Sequence, residues 1–502
     1  MISLSYFRGV VVRSALLLLL VLLSGCSERE TQLEVRFGIS SAPLNLDPRF
    51  ATDATSERIN RLLYQPLVEF DEAARPVPAM ARWERLTPNH YRFYLKVDRA
   101  PFINGRRPTA DDVLTTYANV LNPATASPHR TTLERIVQLR LIDAETIDFH
   151  IKIADPLFPA YLTLGILPAE LIKQDHDFSH SPQGSGPFKF ADWPEEGNLA
   201  LMRRRDHQLF RFLRVADPTV RLLKLMHGEI DMVQNDLPPE LIGYLKQQPE
   251  IAVTQRNGIN FSYLGLNLSD KATAKLKVRR AIAHAIDRQT IIRTLFNDGA
   301  VTANAMLPTQ HWSGYRGNSP YRYDPAAARA LLTEAGYGEN NRLKLVYKSS
   351  SDPLRLRLAT VLQHQLQAVG IDLEIRSYDW STLFGDIKAG RFQLYSLAWV
   401  GIRTPDIFRY AFHSESLPPS GANRGRFIDH TADHLIESAE TSETLQGQAQ
   451  HYRSLQQYLL EQLPYIPLWY EHQTVASRRF IKGYRLAADG NYDGLTEVVL
   501  ER

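Results

Sequence analysis

The residues that look equipped for covalent chemistry are few, and each has a plainer reading. Ser185 stands between Gly184 and Gly186. A nucleophile elbow, however, needs Gly-x-Ser-x-Gly on a strand-to-helix turn, and here Pro187 and the strand-like Phe188-Lys189-Phe190 follow. Asp111 and Asp112 sit side by side, as a metal or acid/base pair would. Thr109, three residues before Asp112, makes them the start of a helix instead, in a capping-box pattern with acids at the positive helix end. His413-Ser414-Glu415 contains the residue types of a triad, yet sequence neighbours rarely converge on one reacting atom. His284, His364 and His472 are scattered over separate segments. There is no His-Glu-x-x-His, no zinc-type cysteine pattern and no phosphate-cradling glycine loop. The expectation is a chain that is not an enzyme and has neither a metal site nor a cofactor.

What remains is binding chemistry. Arg403, Arg409, Arg424 and Arg426 are concentrated around Trp399 and the loop Gly421-Ala422-Asn423-Arg424-Gly425. A guanidinium pairs a carboxylate bidentately. Two of these arginines facing one cleft would favour an acidic solute or a peptide with an acidic side chain, whereas as surface residues they would select nothing. Arg203-Arg204-Arg205 is the one conspicuous basic run and reads as a solvated rim. The formal net charge is +3, and taking away Arg8 and Arg13 of residues 1–25, which hold no acid, leaves +1. That balance gives no reason to expect nucleic acid.

Residues 1–25 read as a targeting segment. Arg8 and Arg13 precede an apolar run from Ala15 to Leu23, which is too short for a membrane span. It ends in Leu23-Ser24-Gly25-Cys26, which resembles a bacterial lipobox, so Cys26 is the expected lipidation site. As the only cysteine it can form no intramolecular disulfide. Residues 26–32 form a polar tether. The choice between the inner and the outer membrane stays open.

The positioning elements follow from periodicity. With 502 residues, 44% hydrophobic and 23% charged, the chain is a soluble globular protein of two or three domains. Leu33 to Ile39 alternates as a half-buried strand. The loop Ser41-Ala42-Pro43-Leu44-Asn45-Leu46-Asp47-Pro48 breaks it. Thr55 to Leu63 is a predicted helix, Trp83 to Val97 a hairpin about Pro88-Asn89, and Thr146 to Ile153 a strand. Val278, Ala281, Ile282, Ala285 and Ile286 mark one helical face. Asp324-Pro325 opens a helix that Gly336 ends. Leu343 to Tyr347, Leu354 to Val369, Ile371 to Ile375 and Leu455 to Leu463 read as strand, helix, strand and late helix. This alternation predicts βαβ units and a largely parallel sheet with helices on both faces.

An ordered series of motifs carries a resemblance over nearly the whole mature chain, up to about Trp469. Tyr64-Gln65-Pro66-Leu67-Val68-Glu69-Phe70 comes first, then Pro76 to Glu84, the alternating Tyr91 to Val97, Phe102 to Val113, and Gly184-Ser185-Gly186-Pro187-Phe188-Lys189-Phe190. The series resembles the bacterial extracellular solute-binding proteins of the peptide/oligopeptide/nickel type, lipoprotein receptors of ABC importers. The resemblance implies an α/β, two-lobed, hinge-closing fold with a small α+β domain inserted in the first lobe. Expected boundaries are 33–58, 186–267 and 474–502 for the first lobe, 59–185 for the accessory domain and 268–473 for the second lobe, with a hinge close to Asn267.

It further implies a monomeric periplasmic receptor, lipid-anchored, that takes peptides or a related solute from an interlobe cleft to membrane permease subunits. A ligand-sensing receptor of the same fold without a transport role is the alternative. Leu44 and Asn45 are expected at the cleft if their loop is more than a Pro-rich turn. Tyr263, on the strand leaving the first lobe, joins Trp399, Arg403, Asp406, Asn423 and Arg424 as the other expected ligand-binding residues. Trp399 matches the family's tryptophan, but Ile402 stands where peptide-binding members have an aspartate for the α-amine. Lys348-Ser349-Ser350-Ser351 likewise stands where dipeptide-type members have an arginine. Asp406 is the only acid near Ile402.

Overall fold

The computed structural model describes residues 34–195 and 197–501. Cys26, the targeting segment and the tether lie outside the described residues. The molecule is organised around one mixed sheet of 11 strands. From one edge the strands run Ile371–Tyr378, Leu343–Ser350, Leu394–Trp399, Ile251–Leu266, Tyr465–Arg478, Met232–Gln234, Val35–Ile39, Leu209–Arg214, Asn198–Arg203 and Phe188–Asp192, with Ala300–Thr302 paired to Tyr465–Arg478 off this path. The expectation of a largely parallel sheet is corrected. Parallel pairing is confined to Ile371–Tyr378, Leu343–Ser350 and Leu394–Trp399 at one end, and to Val35–Ile39 with its two neighbours at the other. The central pair is antiparallel. Its two long strands are themselves the interlobe connections, so the chain doubles back there without a crossover helix.

That central ladder is broken once between the lobes. Asn257 pairs with His472 and Asn260 with Glu471, leaving Gly258 and Ile259 as extra residues on one strand. Such a bulge bends a strand and frees it locally from its partner. Gly258 is required by space, since a Cβ there would lie 2.3 Å from the carbonyl oxygen of Glu471. A second register shift lies opposite Pro467, which has no N–H to contribute to a ladder.

Separate cores flank the break. Val35, Phe37, Ile59, Leu62, Leu201, Phe212, Val475 and Leu495 belong to one. Two others are built by Leu264, Ile282, Leu345, Leu362 and Trp469, and by Phe261, Tyr263, Ile402, Phe408 and Tyr465. A fourth core, from Leu67 to Ile166, holds together an antiparallel sheet ordered Ala81–Thr87, His90–Leu95, Thr146–Ile151 and Ile136–Asp143 with the helix Ala110–Leu121. A small cluster of Leu157, Ala160, Trp312 and Ala449 joins this accessory unit to the second lobe.

Local sequence explains most element ends. Asp53, Asp324, Asp352 and Asp379 each accept a backbone N–H in the first turn of the helix they precede. Asp112 does more than cap: it accepts the N–H of Thr109 at 2.7 Å and of Ala169 at 2.8 Å and pairs with Arg106 at 2.7 Å. The Gly184-Ser185-Gly186 turn threads past the end of the helix Ala54–Leu63, and a Cβ on Gly184 would lie 1.9 Å from the oxygen of Leu63. The late helix is longer than expected. It runs Leu445–Gln462 and is capped by Thr444.

Candidate functional site

The site arises where two parallel strands part company. Leu394–Trp399 pairs with Leu343–Ser350 only at Leu394 and Tyr395. Beyond that point it keeps one partner, the antiparallel strand from Phe261 to Leu266. Ser396 to Trp399 therefore presents an open ladder edge, and Ser349 and Ser350 face it across a cavity of about 310 Å³. The cavity lies at the carboxyl ends of parallel strands, where α/β sheets hold ligands. Arg355, from the first turn of the helix Pro353–Gln367, borders it, as do Trp380 and Phe384 from the helix Trp380–Ala389 and Arg424 from the loop after the helix Ile407–Phe412.

Arg424 is fixed by aromatic faces rather than by an acid. Its guanidinium carbon lies 4.9 Å from the Trp399 ring and 5.2 Å from that of Phe384, and Nη1 donates to the Tyr263 hydroxyl at 3.3 Å. Among the described residues no carboxylate pairs with it. Tyr263 stacks on Tyr465 at 4.0 Å. Burial lifts the phenols of Tyr395 and Tyr465 well above the ordinary tyrosine value, so they stay neutral under the guanidinium. Arg355 has Glu471 at 3.8 Å, a loose pair, and Glu471 also accepts the Ser262 hydroxyl at 2.9 Å. The Ser349 hydroxyl and the Trp399 indole N–H are buried without a partner.

The expected site residues divide accordingly. Trp399 and Arg424 border the cavity. Tyr263 lies beneath Arg424, fully buried. Asn423 organises the loop, donating to the carbonyls of His413 at 3.1 Å and Phe427 at 2.7 Å. Arg403 points away and pairs with Asp489 at 2.7 Å. Asp406 accepts the Thr404 hydroxyl and precedes the helix Ile407–Phe412. Leu44 is exposed, and the Asn45 side chain accepts the N–H of Asp47 at 2.8 Å. Ile402 is buried in the core with Phe408. Of the other arginines, Arg409 pairs with Glu440 at 2.7 Å. Arg355, Trp380 and Phe384 escaped sequence reasoning; the Asp352-Pro353 helix start just after a strand was the available signal for the first. His413 is buried with Nε2 3.3 Å from Glu437, a structural contact. His90, Asp148 and His150 do come together on the accessory sheet, but Arg92 holds Asp148 through two bonds of 2.7 and 2.9 Å.

Two lobes joined by a broken two-strand ladder, with a cavity beside an open strand edge, define a solute-binding protein of the hinge-closing kind. The chain belongs to the bacterial extracellular solute-binding proteins, family 5, whose middle region matches residues 75–416. It is 27% identical over 520 residues to di/tripeptide-binding protein 2 of Pseudomonas aeruginosa (strain UCBPP-PA14), covering 95% of this chain and 97% of that one. The ABC transporter substrate binding protein CtaP of Listeria monocytogenes has the same fold, with a TM-score of 0.83 and 21% identity over 94% of this chain and 99% of that one. So does the ABC transporter-associated periplasmic binding protein DppA of Helicobacter pylori, solved with the peptide STSA, with a TM-score of 0.73 and 24% identity over 94% and 98% of the two chains. No helix among the described residues is long and apolar enough to cross a membrane.

Proposed function

We propose that this chain is the periplasmic substrate-binding receptor of an ABC import system and that it takes peptides. One observation carries the reading: the backbone of Ser396 to Trp399 has a strand partner on one side only, beside a cavity. An extended peptide completes such an edge by main-chain hydrogen bonds, which is affinity without side-chain specificity. The similarity to a di/tripeptide-binding protein over almost the full length supports the same ligand class. The lobes turn about the break at Asn257–Asn260, upstream of Asn267, and ligand favours the closed form that docks on the permease. No covalent step is involved. Cys26 carries the lipid anchor and the receptor acts as a monomer.

The test is denaturing release and mass spectrometry of what co-purifies with the soluble form beginning at Ser27, followed by binding of short-peptide libraries to the emptied protein. Mixed short peptides are expected. An empty cleft that also ignores the libraries would overturn the peptide reading and favour a sensor of the same fold.

A further inference from the structure

The cavity beside the open strand edge has a lopsided chemistry. Its lining includes two guanidiniums and no carboxylate: Arg424, which no described acid reaches, and Arg355, whose one ion-pair contact is the loose 3.8 Å approach of Glu471 from outside that lining. Two residues of its wall also carry buried donors without a partner, the Trp399 indole N–H and the hydroxyl of Ser349, which is 4% exposed. A buried polar group left without a partner is costly, and so is a half-buried arginine with no counter-charge, as Arg424 is among the described residues. Lys348, next to Ser349 in sequence, is already neutralised by Asp386 at 2.5 Å. Arg355 and Arg424 converge on the cavity from two different elements, while the aromatic faces of Trp399 and Phe384 hold Arg424 in place. An anion with two oxygens on one carbon is the complement of this arrangement.

The amine side is the reverse. Ile402 is packed in the second-lobe core and supplies no charge. Its neighbour Arg403 is a cation whose charge is matched by Asp489. Asp406 accepts from Thr404 and shares its surroundings with Asp155, Tyr161 and Tyr452 rather than with the cavity.

Building on the peptide reading of the cleft, we propose that this receptor selects its ligand by a carboxylate held between Arg355 and Arg424 and leaves the α-amine unread. Its ligands are short peptides that bring a carboxylate into the cavity, with a blocked N-terminus accepted as readily as a free one. The carboxylate comes from an acidic side chain or from the C-terminus, and the two sources are separable.

The experiment is calorimetric titration of the ligand-free soluble protein with matched peptides: Ala-Glu-Ala and Ala-Gln-Ala, each with a free or amidated C-terminus, and each with a free or acetylated N-terminus. Acetylation is expected to change the Kd less than about threefold. Removal of the recognised carboxylate, by Glu-to-Gln exchange or by amidation according to the source, is expected to weaken binding at least tenfold. Arg424→Gln and Arg355→Gln should bring acidic and neutral peptides to equal affinity, and the partly exposed Arg355 provides the variant that keeps the fold if Arg424→Gln does not. Arg424→Lys, a charge without the fork, should recover only part of the discrimination. Loss of binding on acetylation, or equal binding of acidic and fully neutral peptides to the unmodified protein, overturns the proposal while leaving the peptide reading intact. Binding of acetylglutamate without any peptide overturns the peptide reading and keeps the carboxylate pocket. Binding of neither ends both.

Discussion

The ion pair between Arg403 and Asp489 ties the loop after Leu394–Trp399 to the C-terminal loop, and we predict that its removal shifts the lobes from closed toward open. Arg403 lies on the second-lobe loop after the strand Leu394–Trp399, while Asp489 sits in the C-terminal loop packed on the first lobe. Their 2.7 Å contact involves side chains that are each 24% exposed. The Arg403 guanidinium also lies 5.6 Å from the Phe70 ring. An exposed pair contributes up to about 1 kcal/mol and a hydrogen bond to a charged group about 1.5–3 kcal/mol. For three-quarters burial a value of about 1–2 kcal/mol is reasonable. At about 1.4 kcal/mol per tenfold, the closed-to-open ratio should fall roughly 5- to 30-fold in Arg403→Ala. Interlobe distances from two engineered cysteines measure this directly, because the form beginning at Ser27 has no cysteine of its own. Arg403→Ala, Asp489→Ala and the double variant make a cycle whose coupling energy should match the estimate and shrink in salt. Unchanged distance distributions in both single variants, or a coupling energy near zero, would refute the assignment of this pair as a closure contact.

Other perturbations have equally definite outcomes. Burial pushes His311 down to about 4, and its Nε2 meets the Arg403 carbonyl at 2.9 Å. The unfolded imidazole titrates near 6.5, so the unfolded chain takes up the proton first. Stability is complete above pH ~6.5 and falls by on the order of 3 kcal/mol toward pH ~4; denaturant titrations should show that slope flattened in His311→Gln. Asp112 behaves oppositely in origin: burial opposes its ionisation, but Arg106 and the N–H groups of Ala169 and Thr109 hold its carboxyl below the usual range. Its contribution is present above pH ~4 and is lost as pH falls through the lower native value, and Asp112→Ala should unfold the accessory unit several degrees earlier by calorimetry. Gly258→Ala places a methyl 2.3 Å from the Glu471 oxygen, so the resting interlobe angle seen by small-angle scattering should shift and ligand affinity should change with it. Gly186→Ala meets the Leu62 oxygen at 2.3 Å and should cost well over 1 kcal/mol in denaturant titration, as backbone overlap cannot be relieved by a rotamer.

The sequence revealed the family and the two-lobed plan because these rest on local signals. Asp324-Pro325 capped the helix it was expected to start, and the Gly184-Ser185-Gly186 turn proved to be a close backbone crossing. The late helix begins before the expected Leu455 although its first turns, Leu445 to Gln450, are polar on most faces, because they depend on tertiary contact. The antiparallel centre of the sheet was hidden for another reason: strand direction is decided by partners more than two hundred residues apart. The same holds for the site. Arg403, Arg409 and Arg424 look alike in sequence, and what separates them is that Asp489 and Glu440 reach the first two while none of the described acids reaches the third. For Arg355 the Asp352-Pro353 helix start is the one local signal, and it does not distinguish a cavity-facing arginine from a solvated one in a helix's first turn.

The double crossing of the central ladder also dictates an order of assembly. The second lobe is one unbroken stretch between the two halves of the first, and the partner that its strand Leu394–Trp399 takes from outside that stretch, Phe261–Leu266, is made before it. The first lobe's core includes Val475, Ile481, Leu486, Tyr492, Leu495 and Val498, so an essential wall of it is made after the whole of the second lobe. Until that segment is made, Val35, Phe37 and Phe212 lack one wall of the core they share with it. Removing residues 483–502 should therefore collapse the lobe made first while sparing the lobe made second.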